Sequence, residues 1–147
     1  MFEFHQEHWI DREIEAVFDF FSQAGNLKLL TPDFIGLELL NPEPIEMKEG
    51  TLIDYRMRIR GLPMRWQSRI DTWQPPYCFE DTQTKGPYRY WCHTHRFQPV
   101  NGGTQVFDTI RYRIWGGRLI DRWFVRPDIQ KIFDFRTEQL KKIFSQG

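Results

Sequence analysis

Cysteine is nearly absent from this 147-residue sequence: Cys78 and Cys92 are the only two, and they form no CxxC pair. Two such thiols, without a secretory context, exclude a disulfide framework and point to a reducing compartment. Net charge is absent as well, because twenty Lys and Arg offset twenty Asp and Glu. No whole-molecule field draws the chain to nucleic acid or anionic lipid, so no nucleic-acid partner is expected. Long apolar runs are missing too. The opening stretch MFEFHQEHWIDREIEAVF alternates and is charged throughout, without the apolar segment of a signal peptide, and no 18-residue apolar run follows. Stable membrane insertion is therefore not expected, and the cytosol is the expected location. Repeats, low-complexity tracts and Ser/Gly linkers are also lacking, so residues 1–147 read as one domain.

Aromatic side chains are what the sequence has in excess. Thirteen Phe and six Trp, in a chain that is 40% hydrophobic and 27% charged, imply a bulky interior or the wall of a cavity. A chain of this length hides roughly 68–70% of its unfolded surface and needs no staple to fold.

The hydrophobic period divides the chain into three parts. FEFHQEHWI reads as a first strand, after which Asp11 can cap a helix carrying Ile14, Val17, Phe18 and Phe21 at i, i+3, i+4 and i+7. Gly25-Asn26 is expected to stop that helix, and NLKLLTP forms a short second one ended before Pro32. From Phe34 to Ile114 the period falls to two, interrupted by turn residues, which predicts a meander of about six strands. Ile53, Tyr55, Met57 and Ile59 share one face, as do Met64, Trp66, Ser68 and Ile70 in the next strand, so one sheet face is buried. A helix of about seventeen residues closes the chain, with Pro127 at its first position and Asp128 at its positive end. Its apolar stripe holds Ile129, Ile132, Phe133, Leu140, Ile143 and Phe144, with Arg136 inside the stripe. The fold class is α+β, a curved antiparallel sheet of about six to seven strands with helices on one side.

Several stretches in this order resemble the START-like or SRPBCC superfamily, which includes Bet v 1-type proteins and polyketide cyclase/dehydrase domains. They are NLKLLTP, PIEMKEGTLIDYRMRIRGLPMRW, DTWQPPYCFEDTQTKGPYRYWCHTHRF, GGTQVFDTIRYRI and IFDFR, and together they cover nearly the whole chain, matching a small single-domain bacterial branch. The resemblance implies a helix-grip fold: two short helices after the first strand, and a sheet wrapped on a long C-terminal helix with a largely apolar cavity between. It further implies binding of a hydrophobic small molecule (lipid, polyketide or aromatic-like) and, in some relatives, cyclisation or dehydration of a bound substrate. One departure is RIWGG at Arg113 to Gly117, where relatives often place a proline before the glycine.

Asn101-Gly102 is the strongest hairpin signal in the chain, and a two-residue turn there sets the register of its flanking strands. Phe97 then faces Val106, His95 faces Asp108, His93 faces Ile110 and Trp91 faces Tyr112. Both histidines point inward, whereas Cys92 and Thr94 point outward. Three readings of this strand stay open. His95 and Asp108 form a cross-strand pair in the cavity wall. Alternatively, His93, His95 and Asp108 are polar handles on a ligand, or an acid/base group for enolisation or dehydration. The third is a 2-His-1-carboxylate metal site; its signal is weak, because His5 and His8 lie on opposite faces of the first strand and no third histidine is placed to help. A Cys-His nucleophile is disfavoured by the alternation, and Cys92 reads as a small hydrophobe.

Arg136 needs a carboxylate, for which Asp108 or Asp81 is available, or else it anchors a ligand oxygen. Arg56, Arg58, Arg60, Arg65, Arg69, Arg96, Arg111 and Arg113, with Tyr88, Tyr90 and Phe107 among them, are assigned to the outer face and read as solvated rather than as a nucleic-acid track. GRLIDRWFVRP, Gly117 to Pro127, is read as packing beneath the long helix, with a lid or a membrane-touching segment as alternatives. The expected ligand-binding set is Tyr55, Met57, Trp66, Trp91, His93, His95, Asp108, Tyr112, Phe133 and Arg136. No cofactor or metal is expected. The rival function is a cyclase or dehydratase using His93 or His95 with Asp108. Oligomeric state and ligand identity are not legible at this level.

Overall fold

The computed structural model describes residues 1–145. One antiparallel sheet of seven strands runs β1 (Phe2–Ile10), β2 (Glu38–Leu39), β3 (Leu52–Ile59), β4 (Leu62–Gln74), β5 (Cys78–Lys85), β6 (Tyr90–Val100) and β7 (Gly103–Arg113). Its spatial order is β1-β7-β6-β5-β4-β3-β2, so the six-strand meander is present and β1 adds beyond its last member. Asn101 and Gly102 both take positive φ, 52° and 80°, as the two central residues of a twist-matched hairpin turn must. The β6–β7 register is the one the turn predicts: Phe97 opposite Val106, His95 opposite Asp108, His93 opposite Ile110 and Trp91 opposite Tyr112.

Helix α1 (Ile14–Ser22) and a 3₁₀ segment, Ala24–Leu30, follow β1. Their boundaries differ from the sequence reading. Glu13 rather than Asp11 precedes α1, and its side chain makes no capping bond. The helix ends at Ser22 because Gln23 turns extended, so Gly25-Asn26 already belongs to the next segment, and the Asn26 amide donates to the Phe20 carbonyl at 2.9 Å. A side-chain amide thus satisfies one of the carbonyls that a helix end leaves without a partner. Phe18 of α1 stands edge-on to Trp73, Phe79 and Phe97 at centroid distances of 5.2, 5.7 and 5.3 Å. This aromatic cluster, with Ile10, Val17 and Val106, forms the solid part of the core.

The closing helix is longer than expected. Gly116 and Gly117, with φ of 105° and 76°, reverse the chain after β7, and helical structure then continues as α2 (Gly117–Ile120), a π turn (Asp121–Val125) and α3 (Arg126–Ser145). Pro127 is therefore interior rather than first. A proline lacks the N–H for an i−4 bond, and the wider turn just before it accommodates that loss. Asp128 lies in the first turn of α3, as expected, and takes two Arg60 donors, Nε at 3.0 Å and Nη2 at 2.9 Å. Arg60 consequently leaves the outer face, at a left-handed position (φ 48°) where β3 alternation has ended. Tyr88 also departs from the outer face, packing against Trp66 and Trp91. Arg56, Arg69 and Arg111 stay outside and pair with Glu38, Asp71 and Glu3. Among the described residues no helix is long and apolar enough to cross a membrane.

Candidate functional site

The sheet and α3 do not close on each other completely. Between them lies a cavity of about 410 Å³. Period-two alternation supplies three of its walls: Ile53, Tyr55 and Met57 from β3, Trp66, Ser68 and Ile70 from β4, and Trp91, His93 and His95 from β6. Another wall is one stripe of α3, Ile129, Ile132, Phe133 and Arg136, at helical spacing, and Phe20, Phe21, Leu27, Leu30, Phe34 and Ile35, from the end of α1 and the segment after it, close a further side. The Trp66 indole donates to Ser68 Oγ at 2.9 Å, which lets a large polar-tipped ring stand in a dry wall.

A buried polar network stands in the cavity wall where β5, β6 and α3 meet. His93 Nε2 and Asp108 Oδ1 are 2.8 Å apart, whereas His95 Nε2 bonds Asp81 Oδ2 at 2.9 Å. The expected His95–Asp108 pair is thus corrected. These two residues are opposite in register, but His95 Nδ1 stays 3.6 Å from Asp108 Oδ1, and the carboxylate is taken by the histidine two residues away. The histidine rings stack at 3.7 Å, and Phe79 stacks on His95 at 4.0 Å, so the imidazoles are held face-on. Arg136 Nη1 sits 3.5 Å from Asp108 Oδ1, one of the two partners anticipated for it. No third histidine was expected beside the pair, but His8, on the face of β1 opposite to His5, points inward and brings Nε2 within 3.9 Å of Asp108 Oδ2.

Charge in this network follows from burial. His95 is fully enclosed; loss of hydration, with the His93 ring adding to it, outweighs the pull of Asp81 and Asp108 and lowers its pKa to about 4. It is a neutral ring at pH 7. Burial also opposes ionisation of Asp108, but the hydrogen bond from His93 and the charges of His93, Arg136 and His95 prevail and hold its pKa below the usual carboxylate range. His8 is lowered chiefly by burial. Cys92 lies on the other side of β6, and burial pushes its thiol up, away from nucleophilic use.

Of the residues expected at the site, Tyr55, Met57, Trp66, Trp91, His93, His95, Phe133 and Arg136 line the cavity. Asp108 and Tyr112 are fully buried behind that wall. Asp108 is screened by His93, and the Tyr112 hydroxyl is turned to Asp121 in the π turn. Asp81 and Phe79 were not in the expected set. They arrive through the β5–β6 register, Asp81 opposite His93 and Phe79 opposite His95, and no two-residue turn fixes that register in the sequence.

Asp81, His93 and His95 offer atoms within 4.8 Å of one another, which is close enough for a metal. Their orientation is unsuitable as it stands. Ring lone pairs lie in the ring plane, and planes only 24° apart do not converge on one ion. His93 Nε2 and His95 Nε2 are already bonded to carboxylates, and the Arg136 guanidinium flanks the group.

A curved antiparallel sheet gripping a long C-terminal helix over an aromatic cavity defines a START-like, Bet v 1-like protein. The match to solved structures agrees. CV1439 from Chromobacterium violaceum superposes with a TM-score of 0.77 at 11% identity, covering 99% of this chain and 98% of that one. Ara h 8.0201 gives 0.71 at 13% identity, with 99% of both chains covered, and major latex-like protein 151 from Panax ginseng gives 0.71 at 12%, covering 97% and 96%. Residues 10–141 match the family described as polyketide cyclase / dehydrase and lipid transport, and the chain belongs to that family. A search of curated proteins finds no match.

Proposed function

We propose that this chain is a one-domain cytosolic binder of a hydrophobic small molecule, held in the cavity between the sheet and α3. The observation that carries the reading is a space of about 410 Å³ lined mainly by apolar and aromatic side chains, with a buried polar network on one wall and Arg60, Asp128 and Lys131 also among its lining residues. Ligand pockets run from about 300 to 1,000 Å³ and combine apolar walls with few polar groups. Tyr55, Met57, Trp66, Trp91 and Phe133 supply contact area; His93, His95 and Arg136 orient the guest, with Asp108 behind His93 and Arg136 and Asp81 holding His95. Arg136 Nε and Nη1 are buried without a hydrogen-bond partner, which costs about 1–3 kcal/mol per donor. A guest oxygen accepting from this guanidinium recovers part of that cost, so the expected ligand has an apolar body and a carbonyl or hydroxyl group.

Titration with the neutral probe N-phenyl-1-naphthylamine tests the reading. Saturable binding at one site is expected, weakened about ten-fold or more by Ile132→Trp, which fills the cavity from the helix. Binding unchanged in that variant, or none in the wild type, overturns it.

A second reading is favoured by one contact, the 2.8 Å bond between His93 and a fully buried carboxylate in the cavity wall. Asp108 fixes the ring through Nε2 and leaves Nδ1 to move a proton, an arrangement suited to enolisation or dehydration. A β-hydroxyketone guest that loses water with the wild type but not with His93→Gln supports it. Unchanged guest mass in both refutes it.

A further inference from the structure

The segment from Trp115 to Phe124 is built inside out. Trp115, Leu119, Ile120, Trp123 and Phe124 are all exposed, at 70%, 69%, 38%, 67% and 45%, while Asp121 within the same helical stretch is buried at 5%. An ordinary surface helix buries its apolar face and exposes its charges. Here the inward Asp121 is satisfied by the Tyr112 hydroxyl and by Arg126 at 3.6 Å. The tertiary structure therefore holds the apolar stripe outward rather than leaving it unpacked by default, and of the residues expected to pack beneath α3 only Val125 does so, against Ile129 and Phe133.

The surroundings of this stripe are cationic. Arg118 and Arg122 flank it and are exposed, and among the described residues neither makes an ion pair. Arg89 lies over the Trp115 ring at 4.7 Å, and Arg60 over Phe124 at 4.9 Å. Arg60 also ties the segment to the β3–β4 turn, where Leu62 is 61% exposed. The acidic groups at hand are spent, Asp121 on Arg126 and Asp128 on Arg60.

We propose that Trp115 to Phe124, with Leu62, docks reversibly on an anionic phospholipid surface. Trp, Leu and Phe on one face with arginines beside them is the composition of an interfacial helix. The charge pattern argues against a second copy of this chain, because a symmetric pairing sets unpaired arginines against each other. Arg60 and Asp128 also line the cavity, so docking brings its rim to the lipid. This inference stands apart from cavity binding and does not require it.

Flotation of the full chain with phosphatidylcholine vesicles, with and without phosphatidylglycerol, tests the proposal. Wild type is expected to float with the anionic vesicles and to be released by added salt. Leu119→Ser/Trp123→Ser is expected to lower partitioning about ten-fold or more, and each of Arg118→Gln and Arg122→Gln about five-fold. All four side chains are exposed, so melting temperatures should be unchanged; Trp115→Ser is the substitute if the double variant does not fold. Failure to float with anionic vesicles, or equal flotation of the apolar variants, overturns the proposal. So does a wild-type dimer in sedimentation velocity that Leu119→Ser/Trp123→Ser dissociates, because it assigns the face to a second copy.

Discussion

Replacing Asp108 by Asn removes one charge from the most enclosed ionic group in the protein. Its carboxylate is 0% exposed, bonded to His93 at 2.8 Å, and lies 3.5, 3.6 and 3.9 Å from Arg136, His95 and His8. Asn keeps the shape and one acceptor for His93, but leaves the guanidinium of Arg136, itself 5% exposed, without its counter-charge. Breaking a buried pair in this way costs about 3–5 kcal/mol, a large share of a total stability of about 5–15 kcal/mol. Arg136→Met keeps the stem volume and removes the positive charge, so the double variant Asp108→Asn/Arg136→Met buries neither ion. Its loss should be smaller than the sum of the single losses by at least about 1 kcal/mol. Urea unfolding at pH 7, followed by circular dichroism, measures all four proteins. Additive single effects, or an Asp108→Asn variant within about 1 kcal/mol of wild type, would refute the assignment of Arg136 to Asp108.

Acid should loosen the same region. His95 has its pKa lowered from 6.5 to about 4, so the unfolded chain binds the proton more readily, and stability present above pH 6.5 is lost as pH falls toward 4. The full contribution is about 3 kcal/mol at 1.36 kcal/mol per pKa unit, most of it gone by pH 4.5, and His8 acts in the same direction. Urea unfolding of wild type and His95→Gln between pH 7 and 4.5 reads it; parallel pH profiles would contradict it. Gly103→Ala should destabilise by about 1–3 kcal/mol, because the added Cβ would meet the Ile10 carbonyl oxygen and the Trp9 ring at 2.5 Å. An unchanged melting temperature would show that the β1–β7 edge yields more easily than this packing implies.

The β6–β7 hairpin was legible because Asn101-Gly102 specifies both turn type and register, and every pairing from Trp91 to Phe97 follows from it. The cavity wall was legible because strand alternation places Tyr55, Met57, Trp66 and Trp91 on one face without tertiary knowledge. Asp81 was not, since β5 meets β6 through a longer connection and meets β4 across irregular register shifts. His8 escaped for a related reason: its strand pairs with the far end of the chain, Val106 on β7, over a separation that local patterns do not encode. The beginning of the last helix was misplaced at Pro127, where a general preference for proline at a first turn lost to a π turn that tolerates it inside. The diagonal His93–Asp108 bond shows the limit of register arithmetic, which fixes Cα neighbours but not rotamers.

Native mass spectrometry of the chain, purified without organic solvent and then again after unfolding and refolding, tests cavity binding most directly. Purified protein should carry a single small-molecule adduct that is absent after refolding, and the stripped protein should regain one equivalent, with a raised melting temperature, from an apolar compound bearing a carbonyl or hydroxyl group. A bare mass in the purified protein, together with no thermal shift across fatty acids, aromatic polyketides and N-phenyl-1-naphthylamine, would contradict it.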